Sequence, residues 1–69
     1  EDALDKIDKA LTLTDKNNSS YPNLLDTKAE VLFKMNLFDE AIKIIDEAIS
    51  IDNKSQYYKD QKNKFEKSK

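Results

Sequence analysis

The chain has 69 residues, 38% of them charged, with 12 Lys and no Arg against 14 Asp and Glu, for a net charge of −2. It contains no Cys, His or Gly, which removes disulfides, thiol and imidazole catalysis, most transition-metal ligand sets and any glycine-rich phosphate loop. A chain this short makes at most one small domain and buries only about 60% of the surface it exposes when unfolded.

No apolar run approaches the ~20 residues of a membrane span, and nothing resembles a signal peptide, so no membrane partner is expected. The sequence opens on Glu1 rather than Met and reads as a fragment of a longer protein. Its compartment is left open, with the cytoplasm favoured.

Residues 1–13 are predicted as a first helix, with Ala3, Leu4, Ile7, Ala10 and Leu11 on one face. Residues 14–20, TDKNNSS, form a polar connector of turn-forming residues. Tyr21 and Pro22 open the second helix, with Ser20 or Tyr21 at the N-cap and Pro22 in the first turn, where its missing N–H costs nothing. Leu25, Ala29 and Leu32 then fall at i, i+4 and i+7, the period of a helix that buries one face. Met35 and Asn36 stand where the chain must reverse, and Asn tolerates the left-handed backbone that a sharp turn needs.

Phe38, Ala41, Ile42, Ile45, Ala48 and Ile49 carry the same period through a third helix, so residues 25–51 read as one helical hairpin. Residues 52–55 form a second connector, with Ser55 a plausible N-cap. A last helix runs from about Gln56 to Glu66 on a thin apolar stripe, Tyr58 and Phe65, with Tyr57 alongside and Gln61 between. Charge divides here. Residues 1–53 hold six Lys against twelve acids, whereas residues 54–69 hold six Lys against two. The plainer reading is a solvated terminal helix; the alternatives are that an acidic body and a basic tail attract each other, or that the tail meets an acidic partner.

An internal repeat joins the first and third helices. EDALDKIDKALTL aligns with DEAIKIIDEAISI at a spacing of 38 residues. Ala3/Ala41, Ile7/Ile45, Asp8/Asp46 and Ala10/Ala48 are identical, and Leu4/Ile42, Leu11/Ile49, Thr12/Ser50 and Leu13/Ile51 are conservative. Amphipathic periodicity alone explains apolar residues at these places. It does not explain small ones in the same two slots, where they let a neighbouring helix come close.

With this repeat and hairpin, the chain resembles the tetratricopeptide (TPR) family, whose unit is a helix–turn–helix of 34 residues. Leu25 looks like the opening aromatic slot, Ala29 the small residue and Leu32 the large one after it. Asn36 resembles the turn glycine, Phe38 the aromatic that follows, and Ala41, Ile45 and Ala48 the A-x3-F-x2-A core of the second helix. The pattern is divergent: Lys28 fills a slot usually held by Leu, Asn53 one commonly held by Pro, no aromatic opens the first helix, and the spacing is 38.

The resemblance implies an all-α, right-handed stack of four antiparallel helices, an α-solenoid fragment. Residues 1–13 would be the second helix of a preceding repeat, 21–53 a complete repeat and 55–67 a C-terminal capping helix. Because solenoid repeats lean on their neighbours, the first helix would lack a partner. Either a further helix upstream or a homo-oligomer formed through that exposed helix is then expected.

The resemblance also implies a function: TPR domains bind segments of other proteins along a face lined by the first helix of each repeat. The matching residues are Asn23, Asp26, Glu30, Phe33 and Lys34, an acidic groove with an aromatic floor suited to a basic protein or peptide. The plainer reading is a solvated face on which Glu30 pairs with Lys34 four residues on. Family members that grip a C-terminal carboxylate use Lys and Asn four apart, an arrangement that Lys59 and Asn63 reproduce in the last helix.

The paired acids Asp2/Asp5, Asp39/Glu40 and Asp46/Glu47 lie on polar helix faces, without EF-hand spacing, so neither catalysis nor a bound metal or cofactor is expected. Nucleic acid is not an expected partner either: the body is acidic, and the one basic helix carries no Arg for guanine. The reading is a non-catalytic protein–protein interaction module or scaffold segment. The alternatives are a self-associating helical module and an accessory segment of an enzyme whose active site lies elsewhere.

Overall fold

The computed structural model describes residues 2–69, with side chains from Ala3 onward. Its elements are α1 (Asp2–Leu13), α2 (Tyr21–Lys34), α3 (Phe38–Ile51) and α4 (Gln56–Ser68), and no strand occurs among the described residues. The chain is all-α, as its periodicity predicts. The expected start of the first helix at Glu1 lies outside the described residues.

Each boundary has a local cause. Between α1 and α2 the side chains of Asp15 and Asn18 wind the connector, accepting hydrogen bonds from the backbone N–H of Asn17 (2.9 Å) and Ser20 (2.8 Å). Pro22 sits in the first turn of α2, and Ser20 flanks it without a capping bond from its hydroxyl. At the other end of α2, Asn36 takes a positive φ of 64°. The Leu37 N–H reaches back to the Leu32 carbonyl (2.9 Å) and the Asn36 N–H to that of Phe33 (3.0 Å). This is a Schellman closure with Asn where Gly is usual, and it turns the chain in three residues. Asp39 and Glu40 then open α3, where their charge suits the helix dipole. Ser55 caps α4, its hydroxyl oxygen accepting from the Tyr58 N–H at 3.4 Å.

Consecutive helices pack on one another, α1 on α2, α2 on α3 and α3 on α4, with the α2–α3 contact the most extensive. Ala29, Ala41, Ile45, Ala48 and Phe65 have no exposed surface, and Leu25, Leu32, Tyr21 and Tyr58 complete the core. Alanine at three of those five points lets the helix backbones approach closely. The Cα trace spans 31 × 31 × 13 Å. Its short dimension matches two helices in depth, since an interaxial distance of about 9 Å plus two Cα radii gives about 13–14 Å.

Ion pairs fix relative direction. Lys62 meets Asp46 and Lys69 meets Asp39, both at 2.7 Å. As α4 numbers rise, α3 numbers fall, so the two helices run antiparallel. The basic end of the chain is thus drawn onto the acidic body.

The repeated alanines have different surroundings in the two helices. Ala41 and Ala48 are fully buried, whereas their counterparts in α1 are exposed (Ala3) or half-buried (Ala10). α3 is covered by α2 and α4, whereas α1 makes its main contact with α2, with Leu4 and Leu11 packed against the core. The same enlargement should therefore have opposite consequences. Ala48→Leu overpacks a closed contact and is expected to cost about 1–3 kcal/mol, while Ala3→Leu stays within about 0.5 kcal/mol of the parent chain. Urea denaturation followed by circular dichroism checks both.

Candidate partner-binding face

The α2 residues singled out in the sequence lie beside α4, and side chains of the two helices join there. Gln61 donates from one amide nitrogen to Asp26 Oδ1 (3.2 Å) and to Glu30 Oε1 (2.9 Å). Lys64 Nζ reaches Glu30 Oε1 at 3.2 Å and Oε2 at 3.4 Å. The Phe33 and Phe65 rings stack at 4.9 Å between centroids. The pairs 26/61, 30/64 and 33/65 rise together, so α2 and α4 run in the same direction, side by side.

Each carboxylate is tuned by this contact. Asp26 is 8% exposed, and burial raises its pKa, an effect only partly offset by the Gln61 hydrogen bond and reinforced by the negative charge of Glu30. For Glu30, burial would also raise the pKa, but the hydrogen bonds from Gln61 and Lys64 and the positive charge of Lys64 outweigh it and hold the group low. Lys64 in turn lies over the Phe33 ring, 5.0 Å from its centroid, and 5.5 Å from that of Phe65. Its ammonium has a carboxylate on one side and aromatic faces on the other.

Asp26, Glu30 and Phe33 are thus brought together, though more covered by α4 than a solvated groove would be. Asn23 and Lys34 are exposed at the two ends of the same helix. The i, i+4 pairing of Glu30 with Lys34 gives way to one with Lys64, 34 residues along the chain, because α4 supplies a second ammonium held in place by ring stacking. Lys59 and Asn63 are exposed on a different flank of α4, about 100° or more around the helix from Tyr57 and Lys64, and do not join the cluster.

Tyr57 was noted in the sequence only as a neighbour of the buried stripe. It proves to be the most exposed aromatic, 59% accessible, with its ring edge on Tyr58 at 5.9 Å. The negative charge of Asp26, then burial and the charge of Glu30, raise its phenol pKa. Asn23 and Tyr57 are separated by 34 residues, a repeat length that was available in the sequence as a signal.

A depression of about 360 Å³ lies away from this face, at the α2–α3 turn over Leu37 and Phe38. One of its two acids, Asp39, is already paired with Lys69. Among the described residues no three His, Cys, Asp or Glu side chains are grouped to hold a metal ion, and no helix is long and apolar enough to cross a membrane.

Comparison with protein-family models, with curated proteins and with solved structures finds no match to this chain.

The opposed shifts of the two acids give opposite pH dependences. A carboxyl that binds its proton more tightly when folded disfavours the fold once ionised. Asp26 therefore costs stability above its raised pKa, and that cost fades as pH falls through it. Glu30, held low, adds stability above its unfolded pKa that is lost as pH falls through its folded one. Asp26→Asn keeps an oxygen for Gln61 and should stabilise the chain at pH 7 by on the order of 0.5 kcal/mol, a gain that shrinks in acid. Glu30→Gln should be mildly destabilising at pH 7 and neutral in acid. Paired urea titrations at the two pH values check both signs.

Proposed function

We propose that this chain is a divergent TPR-like segment, a right-handed stack in which α1 closes one repeat, α2 and α3 form the next and α4 caps it. Its role is non-catalytic: the face shared by α2 and α4 docks an extended segment of another protein or of a neighbouring domain. The observation that carries the reading is a junction that occurs twice. Asp8 of α1 binds Lys28 of α2 at 2.7 Å, and Asp46 of α3 binds Lys62 of α4 at 2.7 Å. The aspartates are 38 residues apart, the repeat spacing, and the lysines 34.

Lys28, a departure from the family pattern, so has a partner, and α4 meets α3 as α2 meets α1. The offset of 34 also aligns Leu25, Ala29 and Leu32, which α2 turns to the core, with Lys59, Asn63 and Glu66, all exposed on α4. A polar surface where a further helix would pack is what a capping helix requires. Two like-directed helices then present one continuous strip, with Asn23, Asp26 and Glu30 on one side and Tyr57 and Lys64 on the other. Rigid helices hold these side chains in place before a partner arrives, which lowers the cost of ordering on binding.

Peptides selected from a random display library against the immobilised chain test the docking face. Selected peptides should lose about tenfold or more in affinity for an Asn23→Arg/Tyr57→Ala variant, a change confined to exposed side chains. Equal binding to both versions moves the face elsewhere. A failure to select any peptide, together with mass that grows with concentration in light scattering, replaces docking with self-association.

A further inference from the structure

We infer that copies of this chain associate head to tail, the Leu13 side chain of one copy entering the depression beside Leu37 and Phe38 of the next. The contact uses surfaces apart from the α2–α4 face, so it stands independently of the docking reading above.

The depression forms where the start of α3 meets the end of α4. Leu37 and Phe38 give it an apolar lining beside Asn36, Asp39 and Glu40, and Lys69 closes it through an ion pair with Asp39 at 2.7 Å. Leu37 keeps 37% of its surface open to solvent. The volume of about 360 Å³ is that of a cube about 7 Å on edge, narrower than the about 10 Å of a helix with its side chains. A protruding side chain fits there and a helix does not. Among the described residues no cation lies within ion-pair distance of Glu40. Two acids and one lysine thus leave the rim with one net negative charge.

The same molecule carries a side chain suited to this space. Leu13 ends α1 and, at 83%, is the most exposed of the large apolar residues described. A lone exposed leucine is ordinary on a protein surface. This one stands between Lys9, one turn before it on α1, and Lys16, three residues beyond. Both lysines are exposed and neither forms an ion pair among the described residues. Asp15 between them is turned onto the connector by the Asn17 N–H, and the three charges sum to one positive. Knob and depression therefore match in size, in polarity and in the sign of their charge.

No residue belongs to both, and Leu13, being exposed, does not fill the depression of its own chain. A contact between two different patches is heterologous. Each copy added brings an unused knob or an unused depression, so association continues past the dimer. One buried side chain within a charged rim makes a small contact, of the kind found in transient encounters.

The test is sedimentation equilibrium of the full chain up to millimolar concentration, with ¹⁵N amide shifts followed on dilution. Mean mass should rise beyond that of a dimer, and dilution shifts should fall in two separate places, residues 9–16 and 36–40. Leu13→Glu and Glu40→Lys, both at exposed positions, should each weaken association about tenfold while leaving amide dispersion unchanged. Leu13→Glu keeps its depression and Glu40→Lys keeps its leucine. Mixed in equal amounts, they should form a dimer of one copy of each at concentrations where either alone is monomeric. A parent chain that stays monomeric at millimolar concentration, association untouched by Glu40→Lys, or no gain on mixing would each overturn the inference. Dilution shifts confined to α1 would replace it with pairing of first helices, and shifts at Asn23 and Tyr57 with association through the α2–α4 face.

Discussion

The closeness of α2 to α3 is the constraint on which the rest of this molecule depends. Ala41, Ile45 and Ala48 have no exposed surface, nor does Ala29 opposite them on the other arm of the hairpin. With methyl groups at those points the backbones approach until Leu25, Leu32 and Ile45 interlock, and the three-residue turn at Asn36 is short enough to hold them in register. A domain of this size has little apolar surface to spare. Without the hairpin neither neighbour has a surface to rest on: α1 leans on α2, and α4 packs on α3 and joins α2 through side chains.

The manner in which α4 is held explains why its contact face is both structural and chemically distinctive. Its apolar stripe is thin, so Phe65 is its one side chain with no exposure, and the remaining hold comes from polar groups. Gln61 spans two carboxylates, and the lysines at 62, 64 and 69 meet acids on α3 and α2. Exposed ion pairs of this kind contribute little individually. Their arrangement nonetheless specifies which way α4 lies, because each lysine finds its acid only in the antiparallel setting on α3 and the parallel one on α2. Specification by polar contact leaves residual charge at the surface. It is here that two acids end up sharing one ammonium.

The helices and their order were legible in the sequence, and the reasons are local. Apolar period, Pro22 in a first turn, Asn36 at the reversal and Ser55 as a cap each act within a few residues, and each is found where local rules put it. What was not legible depended on residues far apart in the chain. Gln61 read as a gap in an apolar stripe, because nothing near it reveals that Asp26 and Glu30 will stand opposite. Glu30 had a lysine four residues on, and only the position of α4 shows that a different one, with aromatic support, displaces it. Lys28 looked like an error in a pattern until Asp8 was seen across from it. Tyr57 read only as a neighbour of the buried stripe, since a shift of one residue from Tyr58 is 100° around a helix and enough to turn it outward.

The same distinction bears on how far the internal repeat can be read as architecture. Apolar identity between α1 and α3 is weak evidence alone, since any two amphipathic helices share it. The Asp8–Lys28 and Asp46–Lys62 bridges are of another kind, because amphipathicity asks for no charge at those positions and no particular partner across the junction. Each bridge is partly exposed and individually dispensable for stability. Their joint occurrence at matched places is therefore better understood as a mark of repeated geometry than as a source of strength. It also accounts for the unequal ends of the molecule: the flank of α4 equivalent to the buried stripe of α2 carries Lys59, Asn63 and Glu66, while α1 keeps its alanines and leaves Ala3 exposed. One end is charged and polar where the other keeps small apolar residues, and between them lies the shared face of α2 and α4, where polar and aromatic groups of both helices meet.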